Sequence, residues 1–364
     1  STTRALEHRR KVSAGDGPDR ESLEGLLRER LRKFTSLLLK VLAEDADEAV
    51  HDVRVWSRRL QQVVTTLSSR PFPSQARTMV RALRRARRSL GGWRDCDVIV
   101  DLLERKARRV RNPEEKAVCE MVRGLALKKR EREIRRARRK LASHKLFTLA
   151  HRAQKFLDEL AHSEHQDTAV ILPSSVADGY AQWREALSCA CNGLDPVNIH
   201  AFRIRAKQLR YRIELAHDLG DSDAQAALGF LKSLQDELGC WHDQAELFRL
   251  TAEALADPEF LLKHASLVAT LLHKLDREQA VQGERIGRLL TSTYESVRGS
   301  ALDDWVTRYC RKMPPQLLAE SELCSNELAL NGADSAPVPD VVQVQTLPAE
   351  PVEDFIKVMS ELPS

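Results

Sequence analysis

Glycine and proline are scarce, 15 and 14 among 364 residues, about 8% against the roughly 12% of average usage. That excludes collagen-like and Gly- or Pro-rich low-complexity chains and favours long helices. No apolar run approaches the roughly eighteen residues of a membrane span, and no basic, hydrophobic, small-residue leader is visible. Neither a transmembrane segment nor a signal peptide is therefore expected. Cysteine is few and odd in number, seven scattered residues from Cys96 to Cys324, which argues against a disulfide framework and for a reducing cytoplasm. Cys189-Ala-Cys191 has no second Cys/His pair at zinc spacing. Aromatics are 5% of the chain, too few for the stacking platforms that hold single-stranded nucleic acid. Gly-rich phosphate loops and nucleophile elbows are missing as well.

What is abundant is charge, and its distribution is uneven. The whole chain carries a net +5, but residues 1–166 carry 40 basic and 23 acidic side chains, net +17. Residues 167–313 are net −4, and residues 314–364 net −8 with Lys357 as their one basic residue. Such asymmetry points to a polyanionic partner for the first segment.

Half of the prolines fall after residue 313, marking 314–364 as an acidic, Pro-rich tail. Its last stretch places Val352, Phe355, Ile356, Met359 and Leu362 at the spacing of a short terminal helix. The tail is expected to be a solubilising segment with a frayed terminal turn, with competition for a basic surface as the alternative, and residues 1–19 are expected to be flexible. Between them, Leu23, Leu26, Leu27, Leu31, Phe34, Leu37, Leu38 and Val41 recur at three- and four-residue spacing, the stripe of an amphipathic helix. Similar patterns cover about 48–69, 74–90, 96–110, 114–142, 145–161, 175–191, 197–219, 223–238, 242–256, 259–275 and 277–298. No alternating strand pattern appears, so the fold class is all-α.

The chain also repeats itself. Ala49–Gln61 (AVHDVRVWSRRLQ) answers Asn198–Arg210 (NIHAFRIRAKQLR) at an offset of 149 residues. Leu90–Val98 (LGGWRDCDV) answers Leu238–Glu246 (LGCWHDQAE) at an offset of 148. Two matches in the same order indicate a helical unit present twice, about 20–166 and 167–313, with the copies expected to pack as paired antiparallel bundles.

On a helix at about 100° per residue, His51, Arg54 and Arg58 share one narrow stripe, as do His200, Arg203, Lys207 and Arg210. Apolar residues (Val53, Trp56, Leu60, Val63 and Leu67; Phe202, Ala206, Leu209 and Ile213) occupy the other side. Cations so spaced repel one another by a few tenths of a kcal/mol per pair. Recurrence of the column in the net-acidic second half favours an anion groove over an ordinary solvated face. The next helix adds Arg77, Arg81, Arg84 and Arg88, of which the second copy keeps only Lys232, at the place of Arg84. Arginine forks suit phosphate oxygens. Gly91 with Asp95, and Gly239 with Asp243, read as a helix C-terminal glycine and the N-cap of the following helix. Arg94 and His242 beside them are candidate anion contacts.

The pattern H-x-x-R-(x)3-R/K-x-L, followed by a basic helix ending L-G-(x)2-R/H-D and present twice, resembles the CHAD domain (conserved histidine α-helical domain) over roughly 20–310. The resemblance implies two helical bundles about a pseudo-twofold axis and a basic central surface that binds inorganic polyphosphate without catalysis, in some members at polyphosphate granules. It further implies His51, Arg54, Arg58, Arg84, His200, Arg203, Lys207, Arg210 and Lys232 as polyphosphate contacts. Gln61-Gln62 stands where the second copy has Arg210-Tyr211, so the first motif helix is expected to grip less strongly at its C-terminal end.

Three other readings compete. The run Arg105–Lys140 holds sixteen basic residues against five acidic ones, which makes sequence-nonspecific nucleic-acid binding the runner-up. The doublets His51-Asp52 and His242-Asp243, with His200 and Asp276, give a loose H…HD…D order, a weaker case for a metal phosphohydrolase. Glu131-x-Glu133-x-Arg135 imitates a triphosphatase motif that requires a strand, and is set aside because its segment is helical. No cofactor, metal or membrane partner is expected, and oligomeric state is left open.

Overall fold

The computed structural model describes residues 20–43, 47–68, 73–143, 146–161 and 168–311. The calls on residues 1–19, on the tail 314–364 and on Cys324 lie outside these residues. Every regular element described is helical: α1 (Arg20–Ala43), α2 (Asp47–Leu67), α3 (Ser74–Ser89), α4 (Gly91–Arg109), α5 (Pro113–Ser143), a 3-10 turn (Leu146–Thr148), α6 (Leu149–Ala161), α7 (Thr168–Cys191), α8 (Pro196–Asp218), α9 (Ala224–Leu255), α10 (Pro258–Lys263), α11 (Ala265–Ser296) and α12 (Ala301–Cys310).

Several helix starts follow a single rule. Asn112, Asp195 and Asp257 each precede a proline and accept hydrogen bonds from backbone N–H groups two or three residues on. Proline at the first helical position gives up a donor that has no partner there anyway, and the side-chain oxygen satisfies the next ones. Ser300 does the same for Asp303 at the start of α12, a helix the apolar periodicity did not reveal. Pro173 lies inside a helix, since α7 runs through it.

The two Gly-x-x-x-Asp motifs are not loops. Gly239 and Asp243 lie inside α9, which runs unbroken through both. A lone glycine costs a helix about 1 kcal/mol, and apolar residues continue on both sides of it. In the first half only Leu90 interrupts the path from α3 to α4, and its N–H still bonds Ala86 and Arg87. Chain reversal uses other glycines: Gly220, at φ +107°, ends α8. There the Asp221 N–H returns to the Ala216 carbonyl. The segments expected at 259–275 and 277–298 also divide elsewhere, at His264, between α10 and α11.

Within each half the motif helix is packed between neighbours, α2 between α1 and α3, α8 between α7 and α9. The two motif helices also touch each other. One buried apolar core runs from Leu23 to Tyr309, and a smaller one joins Ile99, Leu103 and Val122 to Leu247, Ala254 and Val268. Partly buried ion pairs cross between the halves. Arg30, 2% exposed, bonds Asp218 at 2.6 Å and the Arg59 carbonyl at 2.8 Å. Arg59 reaches Glu214 at 3.1 Å.

Candidate functional site

The contact between α2 and α8 decides where the motif cations go. Each helix buries its apolar side (Val53, Leu60 and Val63 on α2; Phe202, Ala206 and Leu209 on α8), which turns His51, Arg54, Arg58 and His200, Arg203, Lys207 to one common region. Arg54 anchors it from the first half. Its guanidinium donates to the Arg87 carbonyl at 3.1 Å, at the end of α3, and a Cβ on Gly91 would come within 3.5 Å of its Nη1. The guanidinium thus lies in van der Waals range over the α3–α4 corner. Arg58 Nη1 reaches back to the Arg54 carbonyl at 3.4 Å.

Electrostatics join the two halves. Burial lowers Arg54 to about 10, and Arg58, Arg94 and Arg203 push in the same direction. Arg203 is lowered by burial and by Arg58 across the α2–α8 contact. Lys207 falls well below the ordinary lysine range, first by burial and then through Arg203, Arg58 and Arg54. The histidines respond alike. His51 is lowered by desolvation and then Arg94, and His200 by desolvation, Arg203 and Lys207. His242 drops to about 3, through burial first and then Arg203, His200 and Lys207. His200 and His242 lie ring to ring, centroids 5.6 Å apart.

Sequence reasoning missed the carboxylates of this cluster. Asp95 and Asp243, read as caps, sit within helices and face the cations. Both are raised by desolvation, a rise that Arg54 and Arg203 oppose at Asp95, and Arg203, Arg94 and Lys207 at Asp243. The signal was available, since the aspartates repeat at an offset of 148 residues, one short of the 149 of the cation columns. Positive groups still outnumber them, so the cluster is self-repelling and suited to accept an anion.

The structure does not bring every candidate into this set. Arg77, Arg81 and Arg88 are exposed on α3, Arg84 is half-buried there, and Lys232 is exposed on α9. Arg210 is engaged elsewhere: its Nε donates to Glu214 at 3.0 Å and its Nη1 to Gln235 at 2.9 Å. In the first half the same two positions carry the same pair reversed. Arg87, 6% exposed, donates to Gln61 at 2.6 Å and to Ser57 at 3.4 Å. Gln61 is therefore the acceptor of an interhelical tie whose arginine has moved from the motif helix to its neighbour. The HD doublets bring no metal cage with them, because no group of three His, Cys, Asp or Glu residues stands at ligand spacing among the described residues. Likewise, no helix among them is long and apolar enough to cross a membrane.

A family model for the CHAD domain matches residues 25–252. No curated protein matches. Among solved structures, the crystal structure of the CHAD domain from the plant Ricinus communis is similar, with a TM-score of 0.58 at 20% identity, over 77% of this chain and 94% of that one. At that identity the likeness speaks for the fold.

Proposed function

Since this chain belongs to the CHAD-domain family, we propose that its cationic cluster is a non-enzymatic binding site for inorganic polyphosphate, a groove lined from both halves of the chain. The observation that carries the reading is the mutual influence of Arg54 and Arg58 with Arg203 and Lys207. Two sequence-distant columns meet in one place, and each depresses the basicity of the other. A chain of phosphates relieves that repulsion along its whole length, which a single small anion does not.

In this reading Arg54, Arg58, Arg94 and Arg203 clamp phosphate oxygens. Asp95 and Asp243 hold the empty cluster together until the polymer displaces their influence. Lys207 and the histidines, held toward their neutral forms by burial and neighbouring cations, take up protons as the polymer enters. Arg210 and Arg87 act as ties that fix the spacing between helices. The same proposal has the protein act in the cytoplasm, with association to polyphosphate granules as its extension.

The test is titration of labelled long-chain polyphosphate against the whole chain, the Arg54→Gln variant and the Arg203→Gln variant at several salt concentrations. Affinity should fall steeply with salt, and each variant should lose about tenfold while flattening the salt slope by roughly 0.7–0.9. Unchanged affinity in both variants would refute the site. Phosphate release in the presence of magnesium would instead favour a hydrolase.

A further inference from the structure

The central cluster accounts for little of the charge on α5. Between Lys128 and Lys140 this helix carries nine basic residues and two acidic ones, Glu131 and Glu133. Lys128, Arg132, Arg135 and Arg139 follow spacings of four, three and four residues. At about 100° per residue they fall within one stripe roughly 60° wide and about 16 Å long. All four are exposed, and every other exposed side chain from Lys128 to Lys140 is also charged.

Several exposed cations elsewhere on the molecule have a carboxylate beside them. Arg249 is held by Glu246 and Glu253, Lys263 by Glu259, Lys274 by Glu115 and Arg285 by Glu237. The α5 row differs. Arg135 has a loose pair with Glu131 at 3.9 Å, while Lys128, Arg132 and Arg139 form no salt bridge among the described residues. Like charges four apart weaken a helix, so the row is a standing cost that an anionic partner would offset.

We propose that the exposed row Lys128–Arg132–Arg135–Arg139 on α5 is a second polyanion surface, separate from the central cluster, that holds the phosphate backbone of a nucleic-acid duplex. The duplex is favoured on three grounds. The row stands on an open, convex helix face with fully hydrated cations, accessible to a ligand too thick for the half-buried central cluster. Helix α5 has no aromatic residue, so it offers no stacking to single-stranded bases. An acidic protein partner would call for an apolar centre, which the stripe lacks. Along about 16 Å of B-form duplex one strand presents roughly five phosphates at 3.4 Å of axial rise each, enough to meet four cations. Binding through them is positional and independent of sequence.

The experiment compares the full chain with a quadruple variant (Lys128→Gln, Arg132→Gln, Arg135→Gln and Arg139→Gln) and with the Arg54→Gln/Arg203→Gln variant. Glutamine keeps helix propensity, and circular dichroism checks that each protein is folded. A labelled 24-base-pair duplex is titrated by anisotropy across a salt series, and labelled polyphosphate in parallel. The α5 variant should lose at least tenfold in duplex affinity, with the salt slope smaller by about 3–4, and change less than threefold toward polyphosphate. The central variant should keep its duplex affinity. No duplex binding by the unmodified chain, or unchanged duplex affinity in the α5 variant, would overturn the proposal. Equal loss of polyphosphate in the α5 variant would also overturn it, making the row an extension of the central site. Failure of polyphosphate to bind any protein would refute the central reading and leave the duplex result to stand by itself.

Discussion

The reversed pair Gln61–Arg87 and Arg210–Gln235 permits a test in which two damaging substitutions repair each other. Arg87→Gln removes a nearly buried guanidinium that donates to Gln61 at 2.6 Å and to Ser57 at 3.4 Å. A hydrogen bond to a charged group contributes about 1.5–3 kcal/mol, so a loss of roughly 2–3 kcal/mol is expected. Gln61→Arg does more harm, because it places a second guanidinium against Arg87 and deprives it of its acceptor. Leaving a buried charge uncompensated costs about 3–5 kcal/mol. The double variant recreates the arrangement of the second half, an arginine on the motif helix donating to a glutamine on the next. One element is still missing: Glu214, which also accepts from Arg210 at 3.0 Å, has Thr65 as its counterpart on α2. The double variant should therefore recover to within about 1–2 kcal/mol of the parent, a coupling of roughly 3–7 kcal/mol that reaches beyond the usual 0.5–3 kcal/mol. Adding Thr65→Glu should close part of the remaining gap. Urea unfolding of the parent, the singles, the double and the triple measures these differences directly. A double variant as unstable as the sum of its singles would refute the equivalence of the two ties.

Arg210→Ala should lower the urea midpoint while reducing polyphosphate affinity less than Arg203→Ala does, since Arg210 is committed to Glu214 and Gln235; parallel unfolding and binding titrations separate the two effects. Stability should fall on acidification below about pH 6.5, because His51, His200 and His242 all have lowered values in the folded chain while the unfolded chain takes up protons at about 6.5. His242→Gln should flatten that loss in melting curves taken from pH 7 to pH 4.5, and bound polyphosphate should flatten it further by favouring the charged histidines. Gly179→Ala should lower the melting temperature in spite of alanine's better helix propensity, because the added methyl would collide with the Arg212 guanidinium. That guanidinium bonds the Ser175 carbonyl at 2.6 Å.

The helices were readable in the sequence wherever one face had to be apolar, and the motif columns announced themselves by recurring at a fixed offset. Breaks between helices were less readable. Glycine in sequence looks alike whether it ends a helix, as Gly220 does at positive φ, or lies within one, as Gly239 does; the difference rests on whether apolar contacts continue beyond it. The aspartates were misassigned for a related reason. A carboxylate near a supposed helix start looks like a cap, and only the packing of α2 against α8 turns Asp95 and Asp243 toward arginines from distant parts of the chain. Arg87 and Gln235 escaped notice because each was aligned with a residue of different chemistry. Reading positions in pairs, 61 with 87 and 210 with 235, would have exposed the exchange.

The undivided core has a consequence for how the cluster comes into being. Leu23, Val53, Phe202 and Leu302 belong to a single buried network, and Arg30 has its carboxylate partner 188 residues away. Neither half can complete its interior without the other, so the first 166 residues alone would present raw apolar surface and an unmatched Arg30. The halves should melt in one cooperative transition rather than two. The repulsion among Arg54, Arg58, Arg203 and Lys207 is then borne by the entire hydrophobic interior, not by any local contact. A weakening anywhere in that interior would loosen the spacing of the cations, and on the proposed reading a polymer threaded between them would stiffen helices on both sides at once.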